Sequence, residues 1–172
     1  MVKIVTKENP VLRQKAREIP LNEIRSRSIQ KIIQQMKEIL AKESDGAALA
    51  APQIGESFQI FIISGKIFQQ SNKDPQPNDM VFINPKIKKI SKKQQKLEEG
   101  CLSVRWLYGL VSRAEKATVE AYDENGKKFT YSGSGLIAQI FQHEIDHLNG
   151  ILFIDKAKNI EEVKPGSVDN LA

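Results

Sequence analysis

Gln142-His143-Glu144-Ile145-Asp146-His147 is the stretch on which the reading of this chain turns. It has the form H-E-x-x-H, and positions four apart on an α-helix lie one above the other on the same face. His143 and His147 can therefore aim their imidazoles at one metal ion. Glu144, beside them, can hold a water and take its proton. The chain has two histidines in 172 residues and both fall here, which favours a metal site over a solvated helix with unremarkable histidines. Around the motif, Leu136, Ile137, Ile140, Phe141, Ile145 and Leu148 supply an apolar face that buries the helix in the core. Ser134 is placed to cap its start, and Asn149-Gly150 stops it.

Working outward, Ile29, Ile32, Ile33, Met36, Ile39 and Leu40 recur at helical spacing opposite a polar face, predicting an amphipathic outer helix over residues 22–42 that ends at Ser44-Asp45-Gly46. Residues 46–55 are small, then broken by Pro52 and Gly55. Such a run lets a backbone approach a ligand or another chain, and serves equally as a tight turn. Residues 59–63, 81–83 and 86–90 read as strands, the last two separated by Asn84-Pro85. Residues 117–122 and 127–131 flank Asp123-Glu124-Asn125-Gly126 as a hairpin. Residues 69–79 read as an exposed loop, and Ile151-Leu152-Phe153-Ile154 as a last strand. The fold class is α+β: antiparallel strands packed around a buried metal-binding helix, with one long amphipathic outer helix.

Length and composition predict a single domain over residues 1–172, with a loosely ordered tail from about residue 156. No apolar run has the length of a membrane span and the N-terminus lacks a secretory core, so a cytoplasmic location and no membrane partner are expected. Cys101 is the one cysteine, which excludes an internal disulfide. The net charge is +5, and much of the excess lies between Lys86 and Lys96. That run reads as a solvated face or as a weak patch facing RNA or the ribosome. No aromatic RNA-binding motif accompanies it, and nothing suggests specific DNA binding.

Two histidines need a third protein ligand, with a position left for water. Cys101 could supply a thiolate, and Glu161 or Glu162 a carboxylate. Spacing alone leaves these open.

Three segments together resemble the peptide deformylase family, and the resemblance covers nearly the whole chain. Gly46 to Gln53 matches G-x-G-L-A-A-x-Q apart from Ala48, Glu99 to Ser103 is E-G-C-L-S, and Gln142 to His147 is Q-H-E-x-D-H. The resemblance implies a hydrolase that removes the formyl group from formyl-methionyl nascent polypeptides. It further implies one divalent metal on Cys101, His143 and His147, natively Fe2+, with Zn2+, Ni2+ or Co2+ as substitutes in purified protein. Glu144 is then general base and acid, and the Gln53 side-chain amide and the Leu102 N–H are oxyanion donors. Gly46 and Ala48 would hold the peptide by backbone hydrogen bonds. Leu97, Leu136 and Ile140 are candidate walls of the methionine pocket or plain core. Gln139 stands where the family commonly has an aliphatic residue. The chain also departs from the family after Ser103, where Val104-Arg105-Trp106-Leu107-Tyr108 replaces a stretch that usually carries Pro and a basic residue. Trp106 and Tyr108 are there either a local plug or a grip on substrate beyond methionine. The competing readings are a zincin-type peptidase using Glu161 or Glu162, and a catalytically idle relative that binds nascent chains.

Overall fold

The computed structural model describes residues 2–68 and 78–165; most of the loop predicted over 69–79 and the last seven residues lie outside them. The first long element is α1, Arg27–Lys42. It begins later than Asn22 because Leu21–Glu23 forms a separate 3-10 turn and Ser26 takes the cap, its hydroxyl accepting from Ile29 N–H at 3.4 Å. The strands that follow are β1 (Ala48–Ala50), β2 (Ile60–Ile63), β3 (Met80–Ile90), β4 (Gln94–Glu99), β5 (Leu107–Ala114), β6 (Lys116–Tyr122) and β7 (Lys128–Ser134). The second helix, α2 (Leu136–Leu148), and a last strand, β8 (Lys158–Glu162), complete the described fold.

Every strand pair is antiparallel. One sheet has the order β1-β2-β3-β6-β7 and the other β4-β5-β8. The larger sheet is sandwiched between the helices, and alternation along its strands decides which helix each side chain meets. Ile60, Ile62, Val81 and Ile83 pack with the apolar stripe of α1. Phe61, Ile63, Phe82 and Val119 face α2 and Phe141. Burial on both faces explains why β2 is a continuous apolar run, all four residues of it buried. Phe61 and Phe82 stack at 4.5 Å and Phe141 meets Phe82 edge-on at 5.4 Å, so α2 rests on an aromatic layer. The fold class read from the sequence is the one observed.

Several boundaries differ from expectation. The two strands around Asn84-Pro85 are one, β3, with a shift of register between Ile83 and Lys86. Asn84 sits at φ +49, and its side chain accepts from Ile19 N–H and donates to Ile19 C=O, which carries the chain through the irregularity. Ser134 does not cap α2. It ends β7, and Gly135, at φ +56, makes the turn into the helix without a side-chain cap. Ile151 to Ile154 is not a strand; Phe153–Asp155 is a 3-10 turn in which the Asp155 carboxylate accepts from Leu152 N–H at 2.9 Å. Residues 158–162 of the supposedly loose tail form β8 on β5. No described helix is long and apolar enough to cross a membrane.

Candidate metal centre and active site

On α2, His143 and His147 project from one face with ring centroids 4.9 Å apart. Cys101 arrives from elsewhere, in the loop between β4 and β5, and places Sγ 3.3 Å from His147 Nε2. One donor atom from each of these three residues lies within 4.8 Å of the other two. Glu161 and Glu162, the alternative third ligands, are exposed on β8 and are not part of that cluster.

The electrostatics of the cluster suit a cation. Burial pushes the Cys101 thiol up, but the imidazoles of His147 and His143 outweigh it and hold the thiol at about 5. Burial opposes the His143 cation, yet bonds to Cys101 and Glu99 raise its pKa well above the ordinary range. Groups that stabilise an imidazolium this strongly also stabilise a metal ion among them, and a thiolate with two imidazoles is a donor set for iron or zinc. Burial raises Glu144, whose Oε2 has no partner among the described residues. A buried carboxylate oxygen without a protein donor fits a group that handles a water.

One candidate ligand, His143, is itself held. Glu99 Oε2 lies 2.9 Å from His143 Nδ1, which leaves Nε2 for the metal. Arg113 on β5 clasps Glu99 with two bonds of 2.6 and 2.9 Å and reaches Asp146 on α2 at 2.7 Å. Lys156 completes the chain on Asp146 at 2.8 Å. Burial pushes Glu99 up, but the bonds from Arg113 and His143 win and hold it at about 2. Gln142 pins the helix beside this network: its Oε1 accepts from Ala114 N–H, and its Nε2 donates to the carbonyls of Ala114 and Ala138.

Gln53, 2% exposed, is oriented by chemistry. Ala50 N–H can only donate, so the amide oxygen faces it at 2.8 Å and Nε2 turns to Cys101 Sγ at 3.4 Å and Ser103 Oγ at 3.3 Å. The Leu102 N–H makes no backbone hydrogen bond among the described residues.

In front of the cluster opens a cavity of about 320 Å³. Gly46, Ala48, Gln53 and Leu102 line it, as do Leu136 and Ile140 of α2 and Trp106 and Tyr108 of the loop side. Leu97 is not among its lining residues; it pairs with Val111 within the smaller sheet. The Tyr108 ring lies so close to Gly100 that a Cβ there would stand 2.7 Å from it, so Tyr108 packs on the loop carrying the thiolate. Sequence reading gave no role to Glu99, Ser103, Arg113 or Asp146. Glu99 could have been found, since it sits two residues before a proposed ligand and such ligands want a carboxylate partner. Arg113 could not, because its partners come from two other elements.

The family model for polypeptide deformylase matches residues 1–163. A peptide deformylase of Desulforudis audaxviator is 39% identical over 164 residues, covering 94% of this chain and 96% of the relative. The crystal structure of a peptide deformylase from Legionella pneumophila superposes with a TM-score of 0.79 at 37% identity, covering 92% of this chain and 87% of that one. One from Synechococcus elongatus, in complex with actinonin, gives 0.77 at 35% identity, covering 92% and 79%. With the motifs, the fold and a model match over nearly its whole length, this chain belongs to the polypeptide deformylase family.

Proposed function

We propose that Cys101, His143 and His147 hold one divalent metal ion at which this chain carries out its family's reaction. That reaction is hydrolysis of the N-terminal formyl group of formyl-methionyl nascent polypeptides, releasing formate and a free amine. The observation that carries the residue assignment is the convergence of a thiol and two imidazoles on one point beside a buried, unpartnered Glu144. A bound divalent ion supplies Lewis-acid polarisation of the formyl carbonyl and a water acidic enough to be a nucleophile at neutral pH.

The residues divide the rest of the work. Glu144 takes the proton from the attacking water at its carboxylate and returns it to the leaving nitrogen, a role favoured by a pKa raised by burial. Gln53 Nε2 and the Leu102 N–H donate to the oxyanion that forms as the carbonyl carbon becomes tetrahedral; removing one such donor costs about 10²–10³ in rate. Ala47 C=O is bonded to Ser64 N–H, so the backbone groups of Ala48 point the other way, to the open edge of β1. There they can pair with an extended peptide whatever its sequence. Leu136 and Ile140 form apolar wall for the methionine side chain.

Ferrous iron is the proposed native metal, supported by the thiolate donor and the family likeness; Zn2+, Ni2+ or Co2+ suits the same donors. The proposal extends to the cytoplasm as the location, and to transient contact with the ribosome through exposed lysines such as Lys89, Lys92 and Lys96. Anaerobic assay of formyl-methionyl peptide hydrolysis, with metal content measured in parallel, tests the assignment. Cys101→Ala should lose metal, and activity by orders of magnitude. Full occupancy and unchanged turnover would defeat it.

A further inference from the structure

Trp106 stands at φ +67, in the left-handed region that a bulky side chain rarely adopts. Surrounding contacts must over-determine that conformation, and three are visible. The Trp106 carbonyl accepts from Val163 N–H at 2.8 Å, just beyond β8. The Arg105 guanidinium lies 5.6 Å from the centroid of the indole. Arg105 in turn is paired with Glu43 and, at 3.2 Å, with Asp45, both in the turn between α1 and β1. The loop that follows the thiolate is thereby strapped to the segment that leads into the peptide-binding edge.

Neither Arg105 nor Trp106 belongs to the cluster that could hold the metal. A plug of the core would be buried. Trp106 is half-buried and lines the cavity beside Asp45 and Gly46. Tyr108 is different: its ring is committed to Gly100. Direction matters as well. A peptide pairing antiparallel to β1 with its formyl end near Gln53 passes Ala48 and then Gly46, about 3.3 Å per residue. Its next residue after methionine therefore reaches the end of the cavity where Asp45, Arg105 and Trp106 stand. Arg105 meets that residue already neutralised by two carboxylates, so the apolar indole dominates there.

We infer that Arg105 is a positioning residue that holds Trp106 as a rigid indole platform, and that this platform makes the protein favour formylated chains whose residue after methionine is aromatic or apolar. The inference rests on the reading of the site given above. It adds a specificity determinant absent from the metal chemistry.

The test compares formyl-Met-Phe-Ser with formyl-Met-Gly-Ser on the metal-loaded protein. The wild type should prefer the phenylalanine peptide by about 3–10-fold in kcat/KM, the range of an aromatic pair. In Arg105→Ala that preference should collapse towards unity through KM rather than kcat, and Arg105→Lys, which keeps one ion pair, should recover part of it. Trp106 is the one tryptophan of the chain, so its fluorescence reads the platform without catalysis. Met-Phe-Ser, the deformylated product, should shift the emission saturably, and Arg105→Ala should make the indole more accessible to acrylamide. A wild type that turns over both peptides equally, or a preference and a quenching profile unchanged in Arg105→Ala, would overturn the inference. A wild type inactive on both peptides would instead defeat the underlying reading of the site, and this one with it.

Discussion

Removing Arg113 is the sharpest test of how the metal centre is held. Its side chain and that of Glu99 are each 3% exposed, and among the described residues Arg113 is the only cation other than an imidazole that touches Glu99. Arg113→Met would leave Glu99 buried with His143 as its one ion-pair partner among the described residues, whereas Asp146 would keep Lys156. The damage is therefore concentrated on the carboxylate that orients His143. Breaking a buried pair by deleting one partner costs about 3–5 kcal/mol. In a chain of this size that corresponds to a fall in Tm of about 6–20 °C. A carboxylate that no longer holds its histidine should also weaken metal binding by about 10–100-fold. Thermal unfolding followed by circular dichroism gives the first number, and metal content after dialysis against a graded chelator gives the second. Glu99→Gln combined with Arg113→Met leaves no unpaired charge, so the double variant should be more stable than Arg113→Met alone. A single variant that melts within about 2–4 °C of wild type, a loss of only about 1 kcal/mol, and keeps its metal equally well would refute the argument.

Glu144→Gln should keep fold and metal yet lose about 10²–10⁴ in kcat, since an amide can hydrogen-bond a water but cannot take its proton; near-normal turnover of the metal-loaded variant would remove Glu144 from the reaction. Glu99, held at about 2 against an ordinary 4.5, should contribute on the order of 3 kcal/mol of stability above pH 4.5 that is lost as the pH falls towards 2. Urea unfolding across that window should show the slope, and Glu99→Gln should flatten it. Gly100→Ala pushes a Cβ to 2.7 Å from the Tyr108 ring, so it should cost about 1–3 kcal/mol by overpacking; an unchanged melting temperature would mean that the ring moves aside freely.

What the sequence made legible was local. The two histidines and Glu144 needed only the helical period, and the apolar stripe of α1 needed no more. Cys101 reaches the histidines only because β4 and β5 fold its loop over α2, a relation that no spacing encodes. For that reason Glu161 and Glu162 stayed in contention on the sequence alone. The smaller sheet was hard to see for a related reason. β8 has the sequence Lys158-Asn159-Ile160-Glu161-Glu162, is exposed throughout, and is tied to the fold by its backbone pairing with β5 rather than by an apolar pattern. Ile151 to Ile154 failed in the opposite sense. A short apolar run says that a segment is buried, not which backbone it adopts, and Asp155 closes it into a turn. The network of Glu99, Arg113, Asp146 and Lys156 joins β4, β5, α2 and the segment before β8, so its members look like ordinary surface charges until the chain is folded.

The brevity of β1 has a kinetic meaning. The strand is three residues long and lies at the outer edge of its sheet. Gln53 already occupies the N–H of Ala50, so in the proposed pairing the groups about Ala48 are the main sites for a guest backbone. Each such bond adds a net of only about 0.5–1.5 kcal/mol, so a short edge caps how tightly any peptide can be held, whatever its length beyond the cavity. A catalyst that must visit every new chain gains from letting go quickly, and here the release rate is limited from below by how little strand there is to hold on to.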